Sequence, residues 1–413
     1  MNNELSSTSA LAAPATKHIY SASRSDLRTL SLRLRSYAAD SHATPLFLEG
    51  APIEGKVKLD LTKRLKVSSI VLTVRGFERR SAPRAVYMSV AETTDVHDRT
   101  FLEETQILWS PTTASSPHLE PGSYRFPFRQ PLPQTVVAPY GHIPLPSAFS
   151  PDNCPIFILY ELAVIIRRGL LHRDETLMTS FRYMRRTYAP LPSLQRRLAY
   201  EAGSPLVGPH TDPSGWSTLS TLLQGQISGR AVEIQCQVSV AMPTVFPRGY
   251  PIPIWMMLRA RDRQALDLVT SRGRPQVSLD RVLSWASAST TVQSGSAEEP
   301  HQVAAARLWH VSSNGSGTDA ACMHFQGEVL PPSNLPASFV APSFSLGYIL
   351  SFSVQVTGLY AAGAARGDPA LTLPITLTSS PGPGPRPRSY APAPSRSADS
   401  LHSDTSSRRR YFA

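Results

Sequence analysis

Hydrophobic and polar residues alternate with a period of two over much of the chain, which predicts β-strands that bury one face and expose the other. The clearest alternating runs span residues 30–34, 70–74, 156–166, 232–240 and 344–356. Such strands are typical of antiparallel sheets packed as sandwiches. We therefore predict an all-β fold in which the runs 156–166 and 344–356 are central strands of their sheets.

Two short patterns occur twice in the same order, about half a chain apart. The first, Phe-x-x-Gly-x-Pro-Ile, begins at Phe47 and again at Phe246, and each copy leads into an alternating apolar run. The second, Pro-x-x-Phe, begins at Pro146 and again at Pro336, ahead of a strand that contains a tyrosine. A repeat of this length has the size of a whole domain of about 100 residues, not of a solenoid unit. The chain is therefore predicted to contain two homologous, immunoglobulin-like antiparallel β-sandwiches in tandem.

The composition of the remaining segments predicts the domain boundaries. Glycine, proline and serine concentrate between the repeats in a linker, where Ser193 is predicted to cap a short helix. The C-terminal tail is rich in proline, serine and arginine, so it is not expected to bury enough apolar surface to fold. The predicted segments are a disordered N-terminus at 1–26, a first sandwich at 27–189, a linker at 190–226, a second sandwich at 227–378 and a disordered tail at 379–413.

The overall composition is that of a globular chain with many turns. Of 413 residues, 41% are hydrophobic and 17% are charged, and the 38 prolines are roughly twice the usual number. Three cysteines make no disulfide framework. The N-terminus lacks the pattern of a signal peptide, and no apolar run approaches the ~18 residues that span a bilayer. We expect an intracellular, soluble protein.

The chain is strongly basic, with a formal net charge of +11 that comes mostly from 36 arginines. Nucleic-acid binding is one interpretation of such a charge. The arginines are scattered over strands, loops and tail, however, and no stripe concentrates them in the sequence. A generally basic surface with weak affinity for acidic partners or anionic lipid is therefore favoured over a specific nucleic-acid site.

The sequence offers little support for catalysis. Neither Gly-x-Gly-x-x-Gly nor Gly-x-Ser-x-Gly occurs. Gly50 and Gly55-Lys56 have the spacing of a phosphate loop, but Val57 stands where a metal-binding hydroxyl is needed. Cys154 has no sequence neighbour that would activate its thiol. No catalytic residue, cofactor or metal is predicted, and an enzyme with a site between the domains is the least favoured alternative.

Several longer stretches resemble arrestin-type domains. The most specific is Leu119-Glu-Pro-Gly-Ser-Tyr-x-Phe-Pro-Phe128, which is followed by Pro146-Ser-x-Phe149. The chain is most similar to the alpha-arrestin branch, of the fungal trafficking-adaptor type, because it is basic and carries a polar C-terminal tail. The matching stretches are 47–59, 67–76, 119–149 and 158–164 for the N-terminal arrestin domain, and 243–254 and 335–348 for the C-terminal one.

The resemblance implies a non-catalytic adaptor in which one face binds membrane-protein cargo, a transporter or receptor, for endocytosis or trafficking. It also implies a Pro-Pro-x-Tyr motif that recruits a ubiquitin ligase. The sequence departs from that pattern, because Pro331-Pro332 is followed by Ser333-Asn334. A ligase-independent adaptor therefore stays open, as does an arrestin-fold subunit of a retromer-like coat complex. The expected location is cytoplasmic, peripheral at the plasma membrane or endosomes.

Three groups of residues are candidate sites for docking and regulation. Four of the five lysines cluster on and just after one predicted strand, where they are either ubiquitin acceptors or a solvated charged edge. Arginines after a second strand and near the C-terminus are candidate contacts with anionic lipid, and two tail serines follow arginines as basic-directed kinases prefer. The candidates are Lys56, Lys58, Lys63 and Lys66 for ubiquitin; Arg79, Arg80, Arg84, Arg408, Arg409 and Arg410 for membrane or acidic partners; and Ser389 and Ser397 for phosphate.

Overall fold

The fold is that of a computed structural model, and within the residues it describes the chain is all-β with two short α-helices, as the alternation predicted. Neither of these helices is long and apolar enough to cross a bilayer. The described residues are 13–23, 27–80, 97–111, 118–151, 154, 156–168, 173–227, 229–261, 263–272, 275–285, 300–311, 322–354, 358–362 and 368–392.

The first half of the chain forms a sandwich of two main sheets. Its strands are β1 (Thr16–Ala22), β2 (Leu27–Ser36), β3 (Leu46–Leu48), β4 (Ile53–Leu61), β5 (Leu65–Lys66), β6 (Ser69–Arg80), β7 (His97–Trp109), β8 (His118–Leu119), β9 (Gly122–Gln130), β10 (Thr135–Ala138), β11 (Gly141–Pro144), β12 (Ile156–Arg167) and β13 (Glu175–Met184). One sheet has the order β1-β2-β4-β9 and the other has the order β3-β13-β12-β6-β7. Inward-facing side chains of both sheets share one hydrophobic cluster.

The second half forms a single sheet that curls over on itself. Its elements are β14 (Trp216–Ile227), β15 (Arg230–Ala241), β16 (Val245–Pro247), β17 (Ile252–Ala260), α2 (Arg263–Arg272), β18 (Gln276–Trp285), β19 (His301–Val311), β20 (Cys322–Val329), β21 (Phe339–Val340), β22 (Phe344–Ser353), β23 (Leu359–Ala361) and β24 (Leu371–Thr378). The strand order is β16-β24-β22-β18-β19-β20-β17-β15-β14-β23, with β21 beside β22. Buried residues from distant parts of this order share a second hydrophobic cluster, so the curled sheet encloses its own core.

The two longest alternating runs are central strands, as predicted. β12 lies between β13 and β6, and it buries every second residue from Ile156 to Ile166. β22 lies between β18 and β24 and buries the alternating residues from Phe344 to Phe352. The strand ends at Ser353, earlier than the predicted end.

The linker is shorter than the sequence predicted, because residues 216–226 belong to β14. This strand pairs along its whole length with β15. Serines and threonines occupy many of its positions, which hid the strand pattern in the sequence. In the rest of the linker, helix α1 (Leu194–Ala202) starts after Ser193, whose hydroxyl accepts a hydrogen bond from the Arg196 N–H at 3.3 Å. The predicted helix cap is therefore present.

Both ends are ordered further than predicted: β1 lies within the segment 1–26 that was predicted to be disordered, because it pairs with β2, and the tail is ordered up to Pro392, although disorder was predicted from residue 379. Residues 379–392, which we name the strap, begin with a parallel bridge between Ser380 and Tyr188, at the C-terminal end of the first sandwich. The strap then passes α1 and reaches β20. Its proline and glycine residues are held by partners that are remote in sequence, so composition alone gave the wrong expectation. Residues 393–413 lie outside the described part of the chain.

The two copies of the internal repeat occupy equivalent places. Phe47 in β3 and Phe246 in β16 each lie on a short strand that pairs in parallel with the last strand of its sandwich, β13 or β24. The glycines that follow, Gly50 and Gly249, both have left-handed backbone conformations, with φ of +80° and +76°.

The second pattern is also used in the same way twice. The hydroxyl of Tyr160, on β12, donates a hydrogen bond to the carbonyl of Pro146 at 2.5 Å. The hydroxyl of Tyr348, on β22, donates to the carbonyl of Pro336 at 2.7 Å. Each tyrosine thus ties a central strand to the proline that opens the pattern.

The sandwiches meet in a shared apolar contact, which we call the joint. The ring centroid of Phe149, in the first sandwich, lies 5.5 Å from that of Phe339 and 5.9 Å from that of Phe344, both in the second. Beside these rings, the buried carboxylate of Glu78 accepts a hydrogen bond from the Ser343 N–H at 3.0 Å. The first hydrophobic cluster therefore continues into the second sandwich.

Candidate functional site

The outer side of the sheet β1-β2-β4-β9 concentrates positive charge. Strand register places Lys17 opposite Arg35 and places Lys56 opposite Arg33. These side chains point away from the core because each strand buries the alternate residues. We call this surface the basic face, and its cationic residues are Lys17, Arg33, Arg35, Lys56, Lys58, Arg125 and Arg129.

A cleft of about 430 Å³ lies on the basic face. Its walls include the first four of those cations, and the exposed side chains of Ile19 and Pro127 contribute apolar surface. On the inward side of β4, Gly55 lets the strands pack closely: a Cβ there would lie 2.3 Å from the Arg33 carbonyl oxygen and 2.8 Å from the buried Phe128 ring. The cleft therefore combines cationic walls with an apolar floor.

Two carboxylates on the same face pair with cations at its edge. Glu54 lies 3.3 Å from Arg129, and Asp60 lies 2.7 Å from Lys58. Exposed pairs of this kind contribute little to stability, roughly 0–1 kcal/mol each. Glu54 also lines the cleft, so four cations and one carboxylate face it and the cleft keeps an excess of positive charge.

A buried histidine fixes the first strand beside the cleft. The ring of His18 lies 2.8 Å from the Ser36 hydroxyl and 3.2 Å from the Ser41 carbonyl, so both ring nitrogens have partners. In the same loop, the N–H groups of Ala43 and His42 donate to the carboxylate of Asp40, which lowers the pKa of Asp40. The histidine is positioned as a structural residue, because both ring nitrogens are engaged within the chain.

The lysine candidates all lie on the surface of the first sandwich, but they differ in their surroundings. Lys56, Lys63 and Lys66 are exposed. Lys58 is half-buried and holds Asp60. Lys56 and Lys58 share the face of β4 that points away from the core, as the alternation predicted. Their role as ubiquitin acceptors stays a prediction.

The arginine candidates at the end of β6 are already engaged within the chain. Arg79 donates two hydrogen bonds to the Asp98 carboxylate, at 2.8 and 2.9 Å, which lowers the pKa of that carboxyl group. Arg80 lies over the ring of Trp285, 4.9 Å from its centroid, and donates to the Ser343 hydroxyl at the joint. Their predicted lipid contact is untested. The candidates outside the described residues are Arg84, Ser397, Arg408, Arg409 and Arg410.

The described residues offer no group of three or more histidine, cysteine or acidic side chains that would hold a metal ion. Gly55 and Lys56, with the spacing of a phosphate loop, lie inside strand β4. Cys154 and Cys236 are buried, and desolvation raises the pKa of the Cys236 thiol to about 12. A thiol with such a pKa stays protonated and is a poor nucleophile at neutral pH.

Sequence reasoning missed the basic face. The alternation in β2 already showed that Arg33 and Arg35 point to the same side. What the sequence did not show is that Lys17 and Lys56 lie beside them, because strand order and register bring these residues together.

Comparison with known proteins identifies one domain. Residues 38–175, which include strands β3 to β12, match the family model of the arrestin (or S-antigen) N-terminal domain. No curated protein matched the chain. The match covers about a third of the sequence, and it coincides with the stretch that resembled an arrestin N-terminal domain.

Proposed function

We propose that this arrestin-fold chain is a non-catalytic adaptor that holds an acidic cytoplasmic segment of membrane-protein cargo in the cleft of its basic face. The match to the arrestin N-terminal domain carries the proposal, because that domain supports an adaptor or scaffold role in trafficking or signalling. The basic face supplies the chemistry, since cations from three strands line one cleft.

The cleft suits an extended acidic peptide better than a compact anion. Its cations are spread along β1, β2 and β4 and do not converge on a single point. Its apolar floor offers a place for hydrophobic side chains between the carboxylates or phosphates of such a peptide. Opposed charges across an interface raise the association rate and set orientation, and added salt weakens both.

The finer assignments belong to the same proposal. We place the chain in the alpha-arrestin branch, working in endocytosis and located peripherally at the plasma membrane or endosomes. Exposed Lys56, Lys63 and Lys66 are the proposed sites of its own ubiquitination. Contact with anionic lipid beside the cargo is assigned to the basic face in addition to the arginines near β6.

The binding test uses a charge reversal with a matched control. The probe is a fluorescein-labelled decapeptide of glutamate, and binding is followed by anisotropy at low and physiological salt. R33E/K56E should weaken binding at least about tenfold, since four units of charge change within the cleft and each near-surface charge is worth about 1 kcal/mol. R230E/R261E changes two exposed arginines of the second sandwich and should bind as the wild type does. An equal loss of peptide affinity in both variants would show that the cleft is not the binding site.

Lipid contact is tested with the same pair of variants. Sedimentation with vesicles of phosphatidylcholine, with or without phosphatidylserine, should show binding only to the anionic vesicles, and R33E/K56E should reduce it. Equal sedimentation with both vesicle types would exclude electrostatic docking.

Mass spectrometry of the protein from its native cells tests the modification sites. During active endocytosis, ubiquitin remnants are expected on Lys56, Lys63 or Lys66 more than on Lys58, which is held by Asp60. Remnants absent from all four would leave an adaptor that works without its own ubiquitination.

A further inference from the structure

The strap starts alongside residues 187–189, which end the first sandwich. The Thr187 N–H donates to the Ser379 hydroxyl, and the Ser379 N–H donates to the Thr187 hydroxyl, both at 2.9 Å. The Ala189 N–H then donates to the Ser380 carbonyl at 3.3 Å. These bonds fix the point at which the strap enters a groove between α1 and the second sandwich.

Prolines and a glycine fit the strap to this groove. The prolines at alternate positions from Pro381 to Pro387 line a small cavity together with Tyr200 of α1. Gly382 passes so close to the end of the first sandwich that a Cβ there would lie 2.0 Å from the Ala189 carbonyl oxygen. Any larger residue at this position would have to move the strap away.

A buried carboxylate holds the far end of the strap. Glu328, on β20, is only 8% exposed. One of its oxygens accepts a hydrogen bond from the Ser389 hydroxyl, and the other accepts one from the Tyr390 N–H at 3.0 Å. The Tyr390 ring stacks on Tyr200, with centroids 6.4 Å apart and an interplanar angle of 17°. We call the contact of Ser389 and Tyr390 with Glu328 the latch.

The strap leaves hydrogen-bond donors and apolar surface of the groove without a partner from the strap. Arg196, on the groove floor, is 7% exposed and donates from Nη2 to the Met242 carbonyl at 2.6 Å. Its Nε and Nη1 find no hydrogen-bond partner among the described residues. Next to the latch, Trp216, Trp255 and Trp309 line a further cleft around the Tyr390 ring. A peptide that brings a hydrogen-bond acceptor to Arg196 would satisfy more of the groove than the strap does.

We propose that the groove is a binding site for extended, proline-rich peptides with an aromatic residue near their C-terminal end, that the strap is its resident occupant, and that phosphorylation of Ser389 vacates it. Proline-rich segments suit such a site because their backbone is preformed and its carbonyl groups are free to accept hydrogen bonds. The inference concerns a different surface from the basic face and does not depend on the adaptor function.

The release follows from the charge of the modified serine. A protein kinase joins the Ser389 Oγ to the γ-phosphorus of ATP as the bond to the β-phosphate oxygen breaks; ADP leaves, and the hydroxyl proton passes to the kinase base. The phosphate carries a charge of about −1.5 to −2 near neutral pH. The phosphorylated Oγ can no longer donate a hydrogen bond to the Glu328 carboxylate. The negative phosphate and the negative carboxylate then repel each other. Arg307 lies opposite Glu328 on the neighbouring strand, but it donates to the Pro392 carbonyl at 2.6 Å.

Hydrogen exchange on the full chain measures the release. S389E should make the amides of residues 379–392 exchange at least about tenfold faster than in the wild type. S389E/E328Q should restore exchange to within about threefold of the wild type, because the amide at position 328 removes one charge and can donate to the carboxylate introduced at position 389. S397E places the same charge eight residues further along the tail and should have no effect. If these amides exchange at the wild-type rate in S389E, or still exchange faster than wild type in S389E/E328Q, the contact with Glu328 does not hold the strap and the proposal is wrong.

Binding in trans tests the groove itself. The probe is a labelled, unphosphorylated peptide with the sequence of residues 379–392, and binding is followed by anisotropy. It should bind the S389E chain at least about tenfold more tightly than the wild-type chain, whose own strap competes. The same peptide with G382A should not bind, because its backbone cannot approach Ala189. Faster exchange in S389E without peptide binding would show a released tail but no peptide site, which would overturn the proposal.

Discussion

The two sandwiches contain the same two local interactions, although their sheets are arranged differently. In each, a tyrosine of a central strand donates to a proline carbonyl, and a Phe-x-x-Gly turn places a short parallel strand beside the last strand. The first sandwich nevertheless has two separate main sheets, whereas the second is one curled sheet. The shared hydrogen bond and turn therefore fix the position of the central and short parallel strands in each sandwich. They do not determine whether the strands form two separate sheets or one curled sheet.

The sandwiches also differ in what their surfaces carry. The outer sheet of the first presents the basic face to solvent, and the second is covered in part by the strap. This contrast separates a surface open to a partner from a surface occupied by the chain itself. Four predictions test how far the equivalence of the two sandwiches extends.

The largest effect is expected when Tyr348, which is 2% exposed, is changed to Arg. An unpaired buried charge costs about 3–5 kcal/mol, so the second sandwich should unfold far below the wild-type melting temperature. Y348F removes only the hydrogen bond to Pro336 and should cost about 1 kcal/mol. Thermal denaturation followed by circular dichroism measures both. A wild-type melting temperature for Y348R would contradict the central position of β22.

Changing Phe149 to Ala should cost about 3–5 kcal/mol and uncouple the sandwiches, because the ring packs on both Phe339 and Phe344 at the joint. Calorimetry should then show two transitions in place of one. The matched control is F47A, since Phe47 packs on Phe181 inside the first sandwich. Two transitions in F47A as well would show that any core loss, and not the joint, separates the domains.

Stability should fall at alkaline pH in both sandwiches. Burial raises the pKa of Tyr160 and of Tyr348 above the usual value near 10, and it raises the pKa of Cys236 to about 12. In the unfolded chain these groups lose their protons first, so the stability present below about pH 9 is lost as the pH rises, by up to about 1.4 kcal/mol per pH unit and group. Urea denaturation near pH 8 and near pH 11 measures the loss. Y348F should flatten the dependence, and an unchanged slope would contradict the shift.

The smallest expected effect compares the two repeat glycines. Gly50 and Gly249 have positive φ, so G50A and G249A should each cost about 1–2 kcal/mol. G249A should cost slightly more, because its Cβ would lie 3.1 Å from the Ser333 side chain, whereas the space around Gly50 is open. Urea midpoints of the two variants give the comparison. No loss in either would contradict the left-handed turns.

The sequence predicted the strands whose two faces differ in polarity and missed those whose pattern is interrupted. The alternation from Ile156 to Ile166 gave β12 its true limits to within one residue. β14 was hidden by serines and threonines. Helix α2 was hidden because, among its described side chains, only Ala265, Leu266 and Val269 join the core. The alternation of polar and apolar residues indicates which residues are buried. It did not predict β14 and α2, because these elements are stabilised mainly by contacts with residues elsewhere in the chain.

The surfaces were harder to predict than the strands. The basic face depends on the order of β1, β2 and β4, which residue spacing does not encode. The strap depends on Ala189, Tyr200 and Glu328, all of which are remote from it in the sequence. The composition of the strap indicates that its residues cannot form a hydrophobic core of their own. It gives no information on the groove that the rest of the chain provides for them.

The hydrogen bonds between Thr187 and Ser379 have a consequence for how such a chain can be rearranged. They join the chain just before the linker to the chain just after β24, so the linker and the second sandwich together form a loop whose two ends meet. A unit whose ends meet can be copied or circularly permuted without rerouting the rest of the chain. The internal repeat has the form that copying of such a unit would leave, and any exchanged copy would also have to supply the rings of Phe339 and Phe344 at the joint.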